Sequence, residues 1–221
     1  MVKKVFIGLI FLLFSPISRL QGNECYSEYW QKFFWKMWKN ESFALGTYVK
    51  IDTGNHLKNI RSLQFNEQFL WKASQNFSLE IHYAYINGRS IVPNSPWRWQ
   101  HRLELEANPI FHLPCNCLVK TRNRLEIRRV QTEPKTLYRL RQRTMLVVPI
   151  KNGGILKSFS MYNELFYNIS TRLFTQDRIC PCQLTFSVSD EIDLDVFCLI
   201  RFFTTNDIWQ KSGVFGTQFS F

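Results

Sequence analysis

From Trp97 to Glu106 the chain alternates without a break. Trp97, Trp99, His101, Leu103 and Leu105 fall on one side, and Arg98, Gln100, Arg102, Glu104 and Glu106 on the other. A period of two is strand geometry, because successive side chains leave a strand on opposite faces. The same alternation runs through Leu79, Ile81, Tyr83 and Tyr85 against Glu80 and His82. It returns in Ile192, Leu194, Val196, Ile200 and Phe202 against Glu191, Asp193 and Asp195. Turn signals cut the chain into ten strand-length segments, near 41–52, 57–71, 76–87, 96–107, 116–129, 136–148, 155–167, 175–188, 191–204 and 211–221. Many are longer than a typical soluble strand and reach the length that crosses a bilayer with tilt. The expected fold is all-β, an antiparallel transmembrane β-barrel of about ten strands over residues 41–221, with twelve as the alternative.

The last segment ends Gly216-Thr-Gln-Phe-Ser-Phe221. Phe215, Phe219 and Phe221 share one face, with Gln218 and Ser220 between them. A bare apolar strand is a sticky edge in a soluble protein. In a closed barrel it pairs and faces lipid. The ending resembles the C-terminal assembly signal of bacterial outer-membrane barrels, with Gly216, Phe219 and Phe221 in the matching places. Val214 departs from it, since a polar residue is usual there. That resemblance implies the barrel-assembly machinery as a partner.

The other end agrees. Lys3 and Lys4 precede a ten-residue apolar run, Val5 to Phe14, followed by Ser15-Pro16. The run is too short to span a bilayer as a helix and has the form of a secretory signal, expected to cover 1–22 with cleavage after Gly22. Residues 23–40 are expected to form a periplasmic segment ahead of the barrel. Within it Trp30, Phe33, Phe34, Met37 and Trp38 follow i, i+3, i+4, i+7, i+8, so Glu28–Lys39 is expected as a short amphipathic helix or irregular cap. A paired strand there is the alternative; it would imply twelve strands, one of them unrecognised. Connections are expected to alternate, tight at Ser189-Asp190-Glu191 and long at Asn206–Gly213, with Asn108–Cys115 as a long exception.

The formal charge is +11. Removing Lys3, Lys4 and Arg19 with the signal leaves +8 on the exported chain. For an exported protein this favours anionic lipid head groups and lipopolysaccharide phosphates as partners, not nucleic acid. Aromatics make up 16% of the residues, which suits a wall whose apolar side faces lipid.

The middle of the chain places charge on one side of each strand. The set is Arg102, Glu104 and Glu106, then Arg122, Arg124, Glu126 and Arg128, then Arg139, Arg141 and Arg143, then Tyr162 and Glu164, and finally Arg178. Leu103, Leu105, Leu125, Ile127, Leu140, Met161 and Leu165 occupy the other sides. A salt-bridged lumen lets a membrane hold so many charges. It serves either as an anion-selective constriction or as a structural network filling a narrow barrel. The ordered segments "RLELE" (102–106), "RNRLEIR" (122–128), "YRLRQR" (138–143), "YNELFYN" (162–168) and "QDR" (176–178), with the aromatic ending, resemble the bacterial domain-of-unknown-function family 2490, predicted outer-membrane barrels. The resemblance covers roughly 41–221. It implies location and fold, and it implies no enzymatic activity.

Six cysteines lie in the exported part: Cys25, Cys115, Cys117, Cys180, Cys182 and Cys198. Export permits disulfides. Zinc sites favour two to four residues between cysteines, which the two Cys-x-Cys pairs lack, so no metal site and no cofactor are expected. A register fixed by Val188 opposite Ile192 places Cys182 opposite Cys198, a candidate disulfide. Of His56, His82, His101 and His112, none sits in a motif that brings a serine beside it, so no enzyme is expected. The sequence therefore points to an outer-membrane barrel of structural or narrow-pore type. The alternative is a secreted soluble β-barrel that turns its apolar faces inward around an apolar ligand; an outer-membrane enzyme ranks below both.

Overall fold

The computed structural model describes residues 25–54, 59–89, 95–114, 116–151, 154–205 and 208–221. The expected signal segment and Cys115 lie outside these. Eleven strands follow in chain order: β1 (Cys25–Lys39), β2 (Phe43–Gly54), β3 (Asn59–Ser74), β4 (Phe77–Gly88), β5 (Arg98–His112), β6 (Leu118–Val130), β7 (Leu137–Pro149), β8 (Leu156–Asn168), β9 (Leu173–Ser187), β10 (Asp193–Thr205) and β11 (Ile208–Ser220). Each neighbour in sequence is an antiparallel neighbour in space, and β1 closes the sheet against β11 in parallel. Strands have 12 to 16 residues. At a tilt near 45° the shortest still covers about 28 Å along the barrel axis.

The ten expected strands all form, and an eleventh joins them. Glu28–Lys39 is a strand, not a helix or cap, and the barrel begins at Cys25 instead of residue 41. The aromatic residues divide between the two faces of this strand, with Trp30 and Phe34 lining the bore. Glu28, Trp30 and Lys32 point inward while Tyr29, Phe33 and Trp35 point out, so a strand separates charge from apolar surface as well as a helix would. Closure decides between the two. A twelve-residue helix is marginal alone, whereas a strand covers the open edges of β2 and β11 at once. No twelfth strand is needed, because the parallel seam accommodates an odd count.

The loop pattern also shifts. β5 runs on to His112, so most of the connection expected at Asn108–Cys115 is strand. β11 starts at Ile208, so residues 208–213 of the connection expected over Asn206–Gly213 are strand, and 206–207 lie outside the described residues.

The seam is stitched on its outer side by rings. Tyr29 stacks on Phe215, Phe33 on Phe219 and Trp35 on Phe221, with centroids 6.0, 5.7 and 5.7 Å apart. The backbone continues the pairing to the end: Phe221 N–H donates to Phe34 O (2.9 Å), and Lys36 N–H donates to Phe221 O (3.0 Å). Gly216, between these rings in sequence, has a different task. A Cβ there would lie 2.3 Å from the Phe197 ring, so only glycine lets that ring lie flat against β11. Phe197 borders an apolar cluster inside the barrel made of Trp30, Tyr162, Cys180, Leu199 and Val214.

Candidate functional site: the charged bore

The strand period carries the charged residues inward. Glu104, Glu126 and Glu164 are fully buried, and Glu106, Arg124, Arg141 and Tyr162 nearly so. Arg102, Arg122, Arg139, Arg143 and Arg178 line an internal cavity of about 810 Å³. On the opposite faces Leu103, Leu105, Leu140 and Leu165 are exposed on the outer wall.

Register sets like charges directly side by side. Glu104 is opposite Glu126, Arg124 opposite Arg141, and Arg122 opposite Arg143. Such pairs repel on their own. Unlike charges are also directly opposed, Glu106 with Arg124, Glu126 with Arg139, and Glu164 with Arg143 and Arg178, and further attraction runs diagonally. Arg124 reaches Glu104 at 2.7 Å and also contacts Glu106; Arg102 reaches Glu104 at 3.1 Å. Glu126 accepts from Arg139 and Arg141, both at 2.6 Å. Glu164 is surrounded by four guanidiniums: Arg122 in close contact, Arg141 at 3.0 Å, Arg178 at 3.4 Å and Arg143 at 3.5 Å. Arg139, Arg141 and Arg178 also stack on the Phe166 ring, with guanidinium carbons 5.0, 4.5 and 4.6 Å from its centre. Arg143 lies over Tyr162 at 4.6 Å. Buried charges demand this dense pairing, because each unpaired ion in the interior costs several kcal/mol.

Arg128 is the member of the predicted set left outside the lattice. It sits opposite Arg102 and Leu137, and among the described residues no carboxylate lies within ion-pair distance.

Two groups of interior residues escaped the sequence reading. Glu28 is buried on β1 and bridges Arg61 and Arg201, each at 3.0 Å, while accepting from Trp30 Nε1 at 3.1 Å. The helical spacing of its segment hid it. Glu80 and His82 stand together in the alternation of β4, but nothing in the sequence shows which residues of the next strand face them. In the structure His82 Nε2 lies 2.8 Å from Glu80 and 3.7 Å from Glu106. His101 is on the outer wall, bonded to Tyr83 (2.6 Å), and His112 bonds Asn76 (3.1 Å). His56 lies outside the described residues.

The cysteine register follows the turn. Val188 N–H donates to Ile192 O at 2.9 Å, and the pairs run Phe186–Leu194, Leu184–Val196 and Cys182–Cys198. Both sulfurs of the last pair are thiols. Beyond Cys198 a bulge shifts the pairing by one residue.

Residues 27–212 match the family model described as "Protein of unknown function (DUF2490)". The chain belongs to this family. The match starts inside β1 and ends inside β11, so the DUF2490 domain takes in the first strand and reaches into the last. No curated protein and no solved structure matches the chain. Among DUF2490 features visible here, the closed barrel and its charged bore are what function must be built from.

Proposed function

We propose that this DUF2490 protein is an outer-membrane β-barrel, exported through a cleaved signal peptide, acting as a structural or narrow-pore protein with an Arg/Glu-lined bore. The observation that carries the reading is the inverted arrangement of side chains. Large apolar residues such as Ile81, Leu105 and Leu140 are 39–50% exposed on the outer wall, while Glu104, Glu126 and Glu164 are wholly inside. Water would reverse that arrangement; a bilayer favours it. A soluble barrel holding an apolar ligand would need the leucine faces turned inward. Lipid and lipopolysaccharide are the partners of the outer wall, and the assembly machinery acts through Gly216, Phe219 and Phe221. The proposal includes no nucleic acid and no catalysis.

The ionic lattice fills the side of the bore formed by β5 to β9. The cavity of about 810 Å³ is lined by arginines of this lattice and is large enough for water, ions or a small solute. Where the cavity is cationic, Lys32 lies over Tyr48 (4.1 Å) and Lys50 over Trp30 (3.9 Å). The test has two arms. Fractionation should place the protein in the outer membrane with heat-modifiable gel mobility; recovery in the soluble fraction would refute the location. Purified protein in a planar bilayer should give small conductance with anion preference if it is a pore. A silent but correctly inserted barrel would assign it the structural role.

A further inference from the structure

We infer that Glu80, His82 and Glu106 form a binding site for a divalent transition-metal cation of the zinc class, at the acid-rich corner of the bore. This goes beyond the pore reading and stands independently of membrane location. One ligand atom from each residue falls within a sphere where all three lie within 4.8 Å of one another. Two strands build the site. Glu80 and His82 are two apart on β4, so they share the inner face, and Glu106 is directly opposite Glu80 on β5. An imidazole nitrogen with two carboxylates is a donor set suited to zinc and its first-row neighbours. Two carboxylates also neutralise a divalent charge. A tetrahedral ion with bonds near 2.1 Å holds its ligand atoms about 3.4 Å apart, a contraction of at most about 1.4 Å from separations within 4.8 Å.

The surroundings supply what a metal-bound histidine needs. His82 Nδ1 has no hydrogen-bond partner among the described residues, although the ring is almost fully buried. Glu104 Oε2 lies 3.8 Å from it, directly opposite on β5. A proton on Nδ1 donated to Glu104 would leave Nε2 as the ligand atom, the carboxylate–histidine–metal arrangement. Glu80 is held in place by Gln68 Nε2 (2.9 Å) and Asn108 Nδ2 (2.8 Å). Among the described residues Asn108 Oδ1 is itself buried without a partner, a further oxygen on a residue that bonds Glu80. Arg124 is the competitor, since it contacts Glu106. It also holds Glu104 at 2.7 Å, so it keeps one carboxylate when Glu106 turns to the ion.

The experiment uses the full-length barrel purified in detergent, stripped with chelator and alkylated at its thiols, so that cysteines cannot bind the probe. Zn²⁺ is titrated calorimetrically. One saturable equivalent is expected. His82→Asn should weaken it at least tenfold, and Glu104→Gln, which leaves all three ligands in place, by roughly 10- to 100-fold. Absence of saturable binding, or binding untouched by His82→Asn, overturns the proposal. If His82→Asn fails to fold, zinc X-ray absorption on the native chain decides. A shell of oxygen and nitrogen with imidazole scattering supports the site; a shell without imidazole refutes it.

Discussion

The two sides of the barrel are held together in different ways. Across β5 to β9, neighbouring strands are locked from inside by ions, with Glu126 and Glu164 each shared among several guanidiniums. At the seam the lock is mainly apolar: Tyr29, Phe33 and Trp35 stack on β11 outside, and inside Trp30, Leu199 and Val214 pack together, with the single carboxylate of Glu28 reaching Arg201 on β10. The contrast follows from what each side must solve. Antiparallel neighbours already share evenly matched ladders, so their inner faces are free to carry charge. The parallel junction joins strands far apart in sequence, and parallel pairing is slightly less stable per residue. Apolar area adds the missing cohesion there, and it does not depend on the precise angle between donors.

The sharpest way to break the comparison is at the seam's end. Deleting Phe219–Phe221 removes two of the three outer stacks and both terminal backbone bonds, and assembly should fail outright. Periplasmic aggregate in place of heat-modifiable barrel is the expected result; normal barrel from the truncated chain would show the seam is not needed for closure.

The next effect belongs to the ionic side. Glu164→Gln leaves four arginines around a neutral group in the interior. Loss of one partner from such a buried set costs about 3–5 kcal/mol. Denaturant unfolding of the detergent-folded protein should show a midpoint shift of that size, and a shift below about 1 kcal/mol would mean that water already screens the cage.

A smaller effect is expected from Phe215→Ala, which removes one outer ring and leaves the pairing intact. Ring stacking adds about 0.5–1.5 kcal/mol beyond area burial. A midpoint shift larger than that of Glu164→Gln would reverse the ranking of the two sides.

The least disturbance should come from joining Cys182 to Cys198. Directly opposed residues have Cα atoms about 4.5–5.5 Å apart, within bridging range. Mild oxidation should link them without change in circular dichroism, and peptide mapping would reveal it. Consistent pairing of Cys198 with Cys25, Cys115 or Cys117 would contradict the register.

Much of this was legible beforehand, for a physical reason. Period-two patterning reports faces directly, so Arg124, Glu126, Arg141 and Glu164 could be assigned to one side and Leu125, Leu140 and Leu165 to the other without knowing any partner. The hairpin at Ser189-Asp190-Glu191 is local, so its register could be counted out to Cys182 and Cys198. Closure is not local. Nothing in Glu28–Lys39 announces that it pairs with both β2 and β11, and its aromatic spacing fits a helix equally well. The coordination corner was hidden for a related reason: Glu80 and His82 are near in sequence, while Glu106 is brought to them only by the pairing of β4 with β5.

The parallel junction has an arithmetical consequence. A whole hairpin gained or lost by a barrel of this kind changes the count by two strands. Any such event leaves the count odd and the junction between first and last strand parallel. Parity is thus conserved under such a change, and gain or loss of a single terminal strand alters it. An observer comparing barrels of different girth could therefore trace lineage through the direction of one pair of strands, without aligning a single residue.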